Sequence, residues 1–249
     1  KSGIWIQNAG SANPLAATRQ DGRYTSPAWD PAGERLAYLR MGATSTDVLI
    51  AEPGGSERLL ASLPSPDFGY DYRQLDWSPD GRWIAVSHAD SLELPLGLSL
   101  IDTATGERRR LTQPEDTVGG DLDPRFSPDG RYISFVRLIH RSNQELFLQR
   151  LDGSPPRQLT HDGRQISGHD WSAGGKRIVL ASDRGGEFRL WRMDPLAVSP
   201  QKSLRALGIF AGFPMQLSLA RSDATLVYSV SHQDRNIWRL DLKKRTWTP

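Results

Sequence analysis

Five segments of this chain repeat one another at nearly equal intervals. Trp77-Ser78-Pro79-Asp80-Gly81-Arg82, followed by the apolar Trp83-Ile84-Ala85-Val86, is matched by Phe126-Ser127-Pro128-Asp129-Gly130-Arg131 before Tyr132-Ile133-Ser134-Phe135. A third copy, Trp171-Ser172-Ala173-Gly174-Gly175-Lys176, precedes Ile178-Val179-Leu180. Looser copies stand at Trp29-Asp30-Pro31-Ala32-Gly33 and at Leu219-Ala220-Arg221-Ser222-Asp223. The leading apolar residue falls at positions 29, 77, 126, 171 and 219, at intervals of 48, 49, 45 and 48. One Ser-Pro-Asp-Gly would mark only an ordinary hairpin, because Pro presets φ and Gly accepts positive φ. Recurrence at a fixed period of this size is the signature of a repeat architecture.

Each repeat reads as four short strands. The first ends on the large apolar residue, and the second is apolar on consecutive positions, as in Ile178-Val179-Leu180-Ala181. Such runs require burial on both faces, whereas a sheet with one wet face would alternate. The third strand recurs as Val48-Leu49-Ile50-Ala51, Leu98-Ser99-Leu100-Ile101, Leu146-Phe147-Leu148, Leu190-Trp191-Arg192-Met193 and Ile237-Trp238-Arg239-Leu240. The fourth is polar, as in Arg108-Arg109-Arg110 and Arg157-Gln158, which suits an outer edge, because cationic side chains there discourage pairing with another chain. Four-stranded antiparallel sheets covering one another's faces, charged strands outermost, make an all-β propeller.

The N-terminus adds Ile4-Trp5-Ile6 and Leu15-Ala16-Ala17, which match third and fourth strands, so the outer half of the repeat occurs six times and the inner half five. The expectation is one propeller domain over 1–249, six-bladed with an incomplete N-terminal blade: five complete repeats plus half. Its units are 1–23 (partial), 24–72, 73–121, 122–166, 167–214 and 215–249.

Composition excludes several classes. Cysteine is absent, which removes disulfides, thiolate metal sites and cysteine nucleophiles. Net charge is only +2, and the basic runs Arg108-Arg109-Arg110 and Lys243-Lys244-Arg245 both lie on proposed edge strands, against a phosphate-tracking surface and direct nucleic-acid contact. No run approaches the roughly 20 apolar residues of a membrane span, so membrane attachment is expected only through segments outside this chain. No nucleophile elbow, His-Glu-x-x-His or Gly-rich phosphate loop occurs; no catalytic residue and no cofactor are expected.

Topology sorts the loops. First-to-second and third-to-fourth turns share one face and read as short and stereotyped; the remaining connections share the other face and vary. The variable set contains Phe68, Tyr70, Asp71, Tyr72 and Arg73, then Leu92 and Leu94, Asp121, His169 and Phe213. These ten residues are the expected binding set for a protein or small-molecule ligand, since loops on a rigid scaffold carry recognition. Two readings stay open for the aromatic and leucine side chains: a docking surface, or mutual packing that plugs the ring. His161 and His169, with Asp162 and Asp170, share a region where a metal would find ligands; hydrogen-bonded or solvated side chains are the simpler account, and no metal is expected.

The Ser-Pro-Asp-Gly-Arg units, each followed by an apolar strand and then a Leu-Trp-x-x-Asp-like strand, resemble the TolB-type WD-repeat-like propeller family over nearly the whole chain. The last unit departs from the pattern, with Ala220-Arg221-Ser222-Asp223 at the turn. The resemblance is greatest to the periplasmic propeller of CadC-like membrane-anchored winged-helix transcription regulators. It implies a periplasmic, non-catalytic sensing domain in bacterial signal transduction. A TolB-like envelope scaffold and the propeller of a prolyl oligopeptidase-family enzyme are the alternatives it also implies.

Overall fold

The computed structural model describes residues 3–6, 14–18, 22–64, 74–91, 93–115, 118–140, 143–209, 213–220, 226–231, 239–241 and 246–248. The chain begins with a two-stranded piece, β1 (Trp5–Ile6) and β2 (Leu15–Ala16). Four antiparallel four-stranded sheets follow. The first comprises β3 (Arg23–Trp29), β4 (Leu36–Met41), β5 (Thr46–Ala51) and β6 (Glu57–Leu63). The second is β7 (Leu75–Trp77), β8 (Trp83–His88), β9 (Gly97–Asp102) and β10 (Arg108–Arg110). The third is β11 (Gly120–Phe126), β12 (Tyr132–His140), β13 (Asn143–Arg150) and β14 (Arg157–Gln158). The fourth is β15 (Ile166–Trp171), β16 (Ile178–Ser182), β17 (Arg189–Met193) and β18 (Arg205–Ile209). Two strand pairs close the sequence: β19 (Phe213–Leu219) with β20 (Leu226–Ser231), and β21 (Arg239–Asp241) with β22 (Thr246–Thr248).

Every sheet is a meander in sequence order, and the first strands β3, β7, β11, β15 and β19 lie against one another in succession. The core consists of the layers between sheets. Leu39, Val48 and Ile50 meet Leu75, Trp77 and Ile84. Leu98 and Leu100 meet Phe126, Ile133 and Phe135, and Val136, Leu146 and Leu148 meet Ile166, Trp171 and Leu180. Val179 and Ala181 meet Leu217, while Ile4, Ile6 and Ala17 cover Leu36, Tyr38 and Leu49. Both faces of each complete sheet are thus apolar and covered, as the consecutive apolar runs require. The fold is an all-β propeller.

The repeated turn has a specific chemistry. In the third sheet the Ser127 hydroxyl donates to Asp129 Oδ1 at 2.6 Å and accepts from the Tyr132 amide at 3.0 Å, while Asp129 Oδ1 also accepts from the Arg131 amide. Gly130 adopts φ of 69°. Ser78, Asp80 and Gly81 (φ of 71°) repeat the arrangement. In the first sheet Asp30 takes the serine's place, accepting from the Glu34 and Arg35 amides and from the Arg35 guanidinium.

Two expectations are corrected. The regions around Asp121 and His169 are strands rather than loops, because the innermost strands extend further back than their apolar residues indicate. The third-to-fourth connections are also not uniformly short: in the fourth sheet this connection runs from Asp194 to Leu204 and includes a 3-10 turn at Pro200–Ser203.

Candidate functional site

Of the ten residues expected on the variable-loop face, Phe68, Tyr70, Asp71, Tyr72, Arg73 and Leu92 lie outside the described residues. Phe213 begins β19, where its backbone pairs with Ser231. Leu94 is half-buried, and its amide donates to the Ser91 carbonyl at 3.4 Å. The neighbouring Leu96 is buried with Ala89, Leu122 and Leu138, so this part of the leucine-bearing loop packs inward.

Asp121 and His169 were expected to face a partner, and both are fully buried instead. Asp121 accepts from Arg137 Nε at 2.7 Å, from Arg137 Nη2 at 2.9 Å and from the Thr112 hydroxyl at 2.6 Å. Burial pushes its carboxyl up, against the pull of Arg137 and Thr112. His169 Nε2 bonds the Ser134 hydroxyl at 2.9 Å, and its Nδ1 bonds Asp123 Oδ2 at 3.1 Å.

Ser134, His169 and Asp123 therefore form a hydrogen-bonded chain of the kind that activates a serine nucleophile. Here it is sealed: none of the three side chains is appreciably exposed, so no substrate carbonyl reaches Ser134. The chain ties β11, β12 and β15 together, and Asp123 also pairs with Arg125 Nη2 at 2.8 Å. Arg125 in turn donates to the carbonyls of His169 at 3.0 Å and Leu217 at 3.4 Å. Asp123 has φ of 53° at a break in the β11–β12 register, and the bulge aims its carboxylate into the seam between sheets.

A second seam contact occurs at one register position of two innermost strands, β7 and β15, where β11 carries Arg125. Asp76 Oδ2 accepts from the Phe126 amide at 2.9 Å and Asp170 Oδ2 from the Leu219 amide at 2.8 Å. The indoles of Trp77 and Trp171 donate backwards, to the carbonyls of Ala28 and Arg125. Adjacent sheets are thereby joined polar group to polar group where a propeller's faces converge.

The ends of these strands enclose a cavity of about 250 Å³ at the short-turn face, opposite the variable loops. All five innermost strands or their turns contribute to its wall: Ala28 to Pro31, Asp76, Phe126 and Pro128, Asp170 and Trp171, and Ser218 and Leu219. Three carboxylates thus face an aromatic and proline-rich lining. Burial pushes the Asp30 carboxyl up, but the bonds from Arg35 and Glu34 outweigh it and hold the group below the usual carboxylate value. Burial pulls the Arg125 guanidinium down, while Asp123, Asp170 and Asp76 outweigh it and keep the cation charged. Among the described residues no group of three or more potential ligands is placed to hold a metal ion, and no helix is long and apolar enough to cross a membrane. Sequence reasoning missed this cavity, although aspartate directly before tryptophan at both 76 and 170 was a visible sign.

A family model described as PD40, TolB beta propeller domain, matches residues 2–243. Among curated proteins, an uncharacterized peptidase of Bacillus subtilis, YuxL, is 29% identical over 171 residues, 54% of this chain and 25% of that protein. The Tol-Pal system protein TolB of Nitratidesulfovibrio vulgaris is 29% identical over 153 residues, 61% of this chain and 32% of that protein. The chain therefore spans a third or less of the length of these relatives. The crystal structure of TolB from Acinetobacter baumannii superposes with a TM-score of 0.66 at 22% identity, covering 86% of this chain and 52% of that one, a likeness of fold.

Proposed function

The chain belongs to the TolB beta propeller domain family, and on that premise we propose that it is a non-catalytic, protein-binding propeller of the bacterial cell envelope. The observation that carries this reading is the cavity at the short-turn face. Its volume of about 250 Å³ falls below the roughly 300 to 1,000 Å³ of pockets that enclose whole small molecules. It suits one side chain or one chain end of a partner resting on the surrounding face. The carboxylates of Asp76 and Asp170 beside Trp171 and Phe126 favour a cationic group, and Trp29, 43% exposed at the rim, offers an aromatic surface for it. The buried Ser134–His169–Asp123 chain supports the non-catalytic assignment.

The test is a photo-crosslinking residue at position 29 in the intact protein, in its native envelope. An adduct with one partner protein is expected, lost in Asp76→Asn/Asp170→Asn. Equal adducts from position 109 on an outer strand would overturn the reading. The opposite face is a second proposed surface, comprising Phe68, Tyr70, Asp71, Tyr72, Arg73 and Leu92; Tyr70→Ala/Tyr72→Ala with unchanged partner binding and intact folding removes it.

The finer form of the proposal keeps residues 1–249 as one propeller of six units, the first partial. It makes that propeller the periplasmic sensing part of a membrane-anchored, winged-helix transcription regulator. This form is supported by the resemblance of its repeats, and partner binding would alter how the domain packs or dimerises. The likeness to YuxL favours instead a peptidase's accessory propeller. The gene around these residues separates the cases. A winged helix and about 20 apolar residues upstream mark the regulator, a small α/β domain upstream marks a TolB-like scaffold, and a serine-elbow domain downstream marks the peptidase.

A further inference from the structure

The connection from Asp194 to Leu204 departs from its counterparts at Glu52 to Gly55, Thr103 to Gly106 and Asp152 to Pro155, which are tight turns. It is nevertheless firmly fastened. Arg157 Nη2, from β14 of the neighbouring sheet, donates to the carbonyls of Ala197 at 2.7 Å and Val198 at 3.2 Å. The Ser203 hydroxyl donates to the Pro200 carbonyl at 2.6 Å and accepts from the Asp194 amide at 2.8 Å. His161 Nδ1 bonds Gln201 Oε1 at 3.1 Å.

So anchored, the loop holds two aliphatic side chains out in water: Val198 is 99% exposed and Leu196 50% exposed. A loop needs no such apex for its own stability, because exposed aliphatic surface contributes nothing until something covers it. Beside the apex, between the loop and β14, lies a pocket of about 570 Å³. Arg157 and Lys202 bring positive charge to its wall, Val198 and Pro200 bring apolar surface, and its lining residues include no carboxylate. This is the inverse of the acidic lining at the strand ends.

We propose that this pocket is a docking site for an acidic segment of a partner protein that carries an aliphatic anchor residue. The acidic side chains face Lys202 and the outer edge of the Arg157 guanidinium, and the anchor packs on Val198 and Pro200. Charge complementarity selects this occupant over a basic one, and the aliphatic apex selects a peptide over a small anion. The site is separate from the cavity at the strand ends, so either stands if the other fails.

The test is an amide-resolved NMR titration of the whole chain with blocked Glu-Leu-Glu-Asp-Leu-Glu, with the same peptide carrying Lys in place of its acids, and with inorganic phosphate. The acidic peptide is expected to shift amides of 157–161 and 196–204 saturably. Its Kd should rise tenfold or more in Lys202→Glu and in Val198→Asp, whose exposed side chains leave the fold intact, and stay unchanged in Asp76→Asn/Asp170→Asn. The proposal is overturned if the lysine peptide binds equally well, if phosphate alone reproduces the shifts, if the shifts fall elsewhere, or if Val198→Asp leaves the affinity unaltered.

Discussion

Arg125 offers the sharpest test of how the sheets are held together. Its side chain is 2% exposed, paired with Asp123 at 2.8 Å and bonded to carbonyls of the two following innermost strands. Arg125→Met keeps the apolar volume and removes the cation. Asp123, 3% exposed, then retains its charge without that counter-ion, and the His169 and Leu217 carbonyls lose these donors. Removing one partner of a buried pair costs about 3–5 kcal/mol. At about 2–4 °C per kcal/mol for a domain of this size, the melting temperature should fall by roughly 6–20 °C. Arg131→Met, breaking an exposed pair with Asp129, should cost less than about 1 kcal/mol. Adding Asp123→Asn to Arg125→Met removes the stranded charge while an amide oxygen still reaches His169, so the double variant should be more stable than the sum of the singles by about 1–3 kcal/mol. Urea unfolding followed by tryptophan fluorescence measures all four. An Arg125→Met cost near that of Arg131→Met, or strict additivity in the double variant, would refute the argument that this seam depends on charge.

Three further outcomes are expected. Burial, with Arg110 and Arg108 alongside, lowers the His88 pKa to about 4. The unfolded chain therefore binds the extra proton first, and stability should be level above pH 6.5 and fall by about 3 kcal/mol between pH 6.5 and 4; His88→Gln should flatten that window in pH-dependent unfolding. Ser134→Ala leaves the buried His169 without its hydroxyl partner and should cost about 1–3 kcal/mol, while a fluorophosphonate probe should fail to label Ser134 in the folded wild type by mass spectrometry. Gly120 has φ of 122°, and a Cβ there would lie 2.5 Å from the Leu96 nitrogen, so Gly120→Ala should destabilise by at least about 1–3 kcal/mol in the same unfolding assay.

The fold was legible because two local signals recurred together: a tight turn, closed by serine and aspartate at Ser78–Asp80 and Ser127–Asp129 and by related residues at Asp30 and Ser172, and a following strand too apolar to have a wet face. The innermost strands were less legible. Gly120, Asp121 and Asp123 read as loop composition, yet β11 is buried along its whole length, because each charge is paired: Asp121 meets Arg137 on the adjacent strand of its own sheet, and Asp123 meets Arg125 on its own strand and His169 across the seam to the next sheet. Single-sequence periodicity carries no trace of partners lying 16 to 46 residues away. The cavity was hidden for the same reason, its wall being one to four residues from each of five distant strands and their turns. The loop from Asp194 to Leu204 was visible as an added stretch with Pro195 and Pro200, but aligning only the beginnings of the repeats passed over it.

The reach of Asp76 to the Phe126 amide, and of Asp170 to the Leu219 amide, joins neighbouring copies through matching positions of the motif. A gene segment that carries this aspartate, duplicated in register, would bring along an acceptor for the copy after it and an amide for the copy before it. Copies can then be added at such a seam during evolution without any new joint having to be invented.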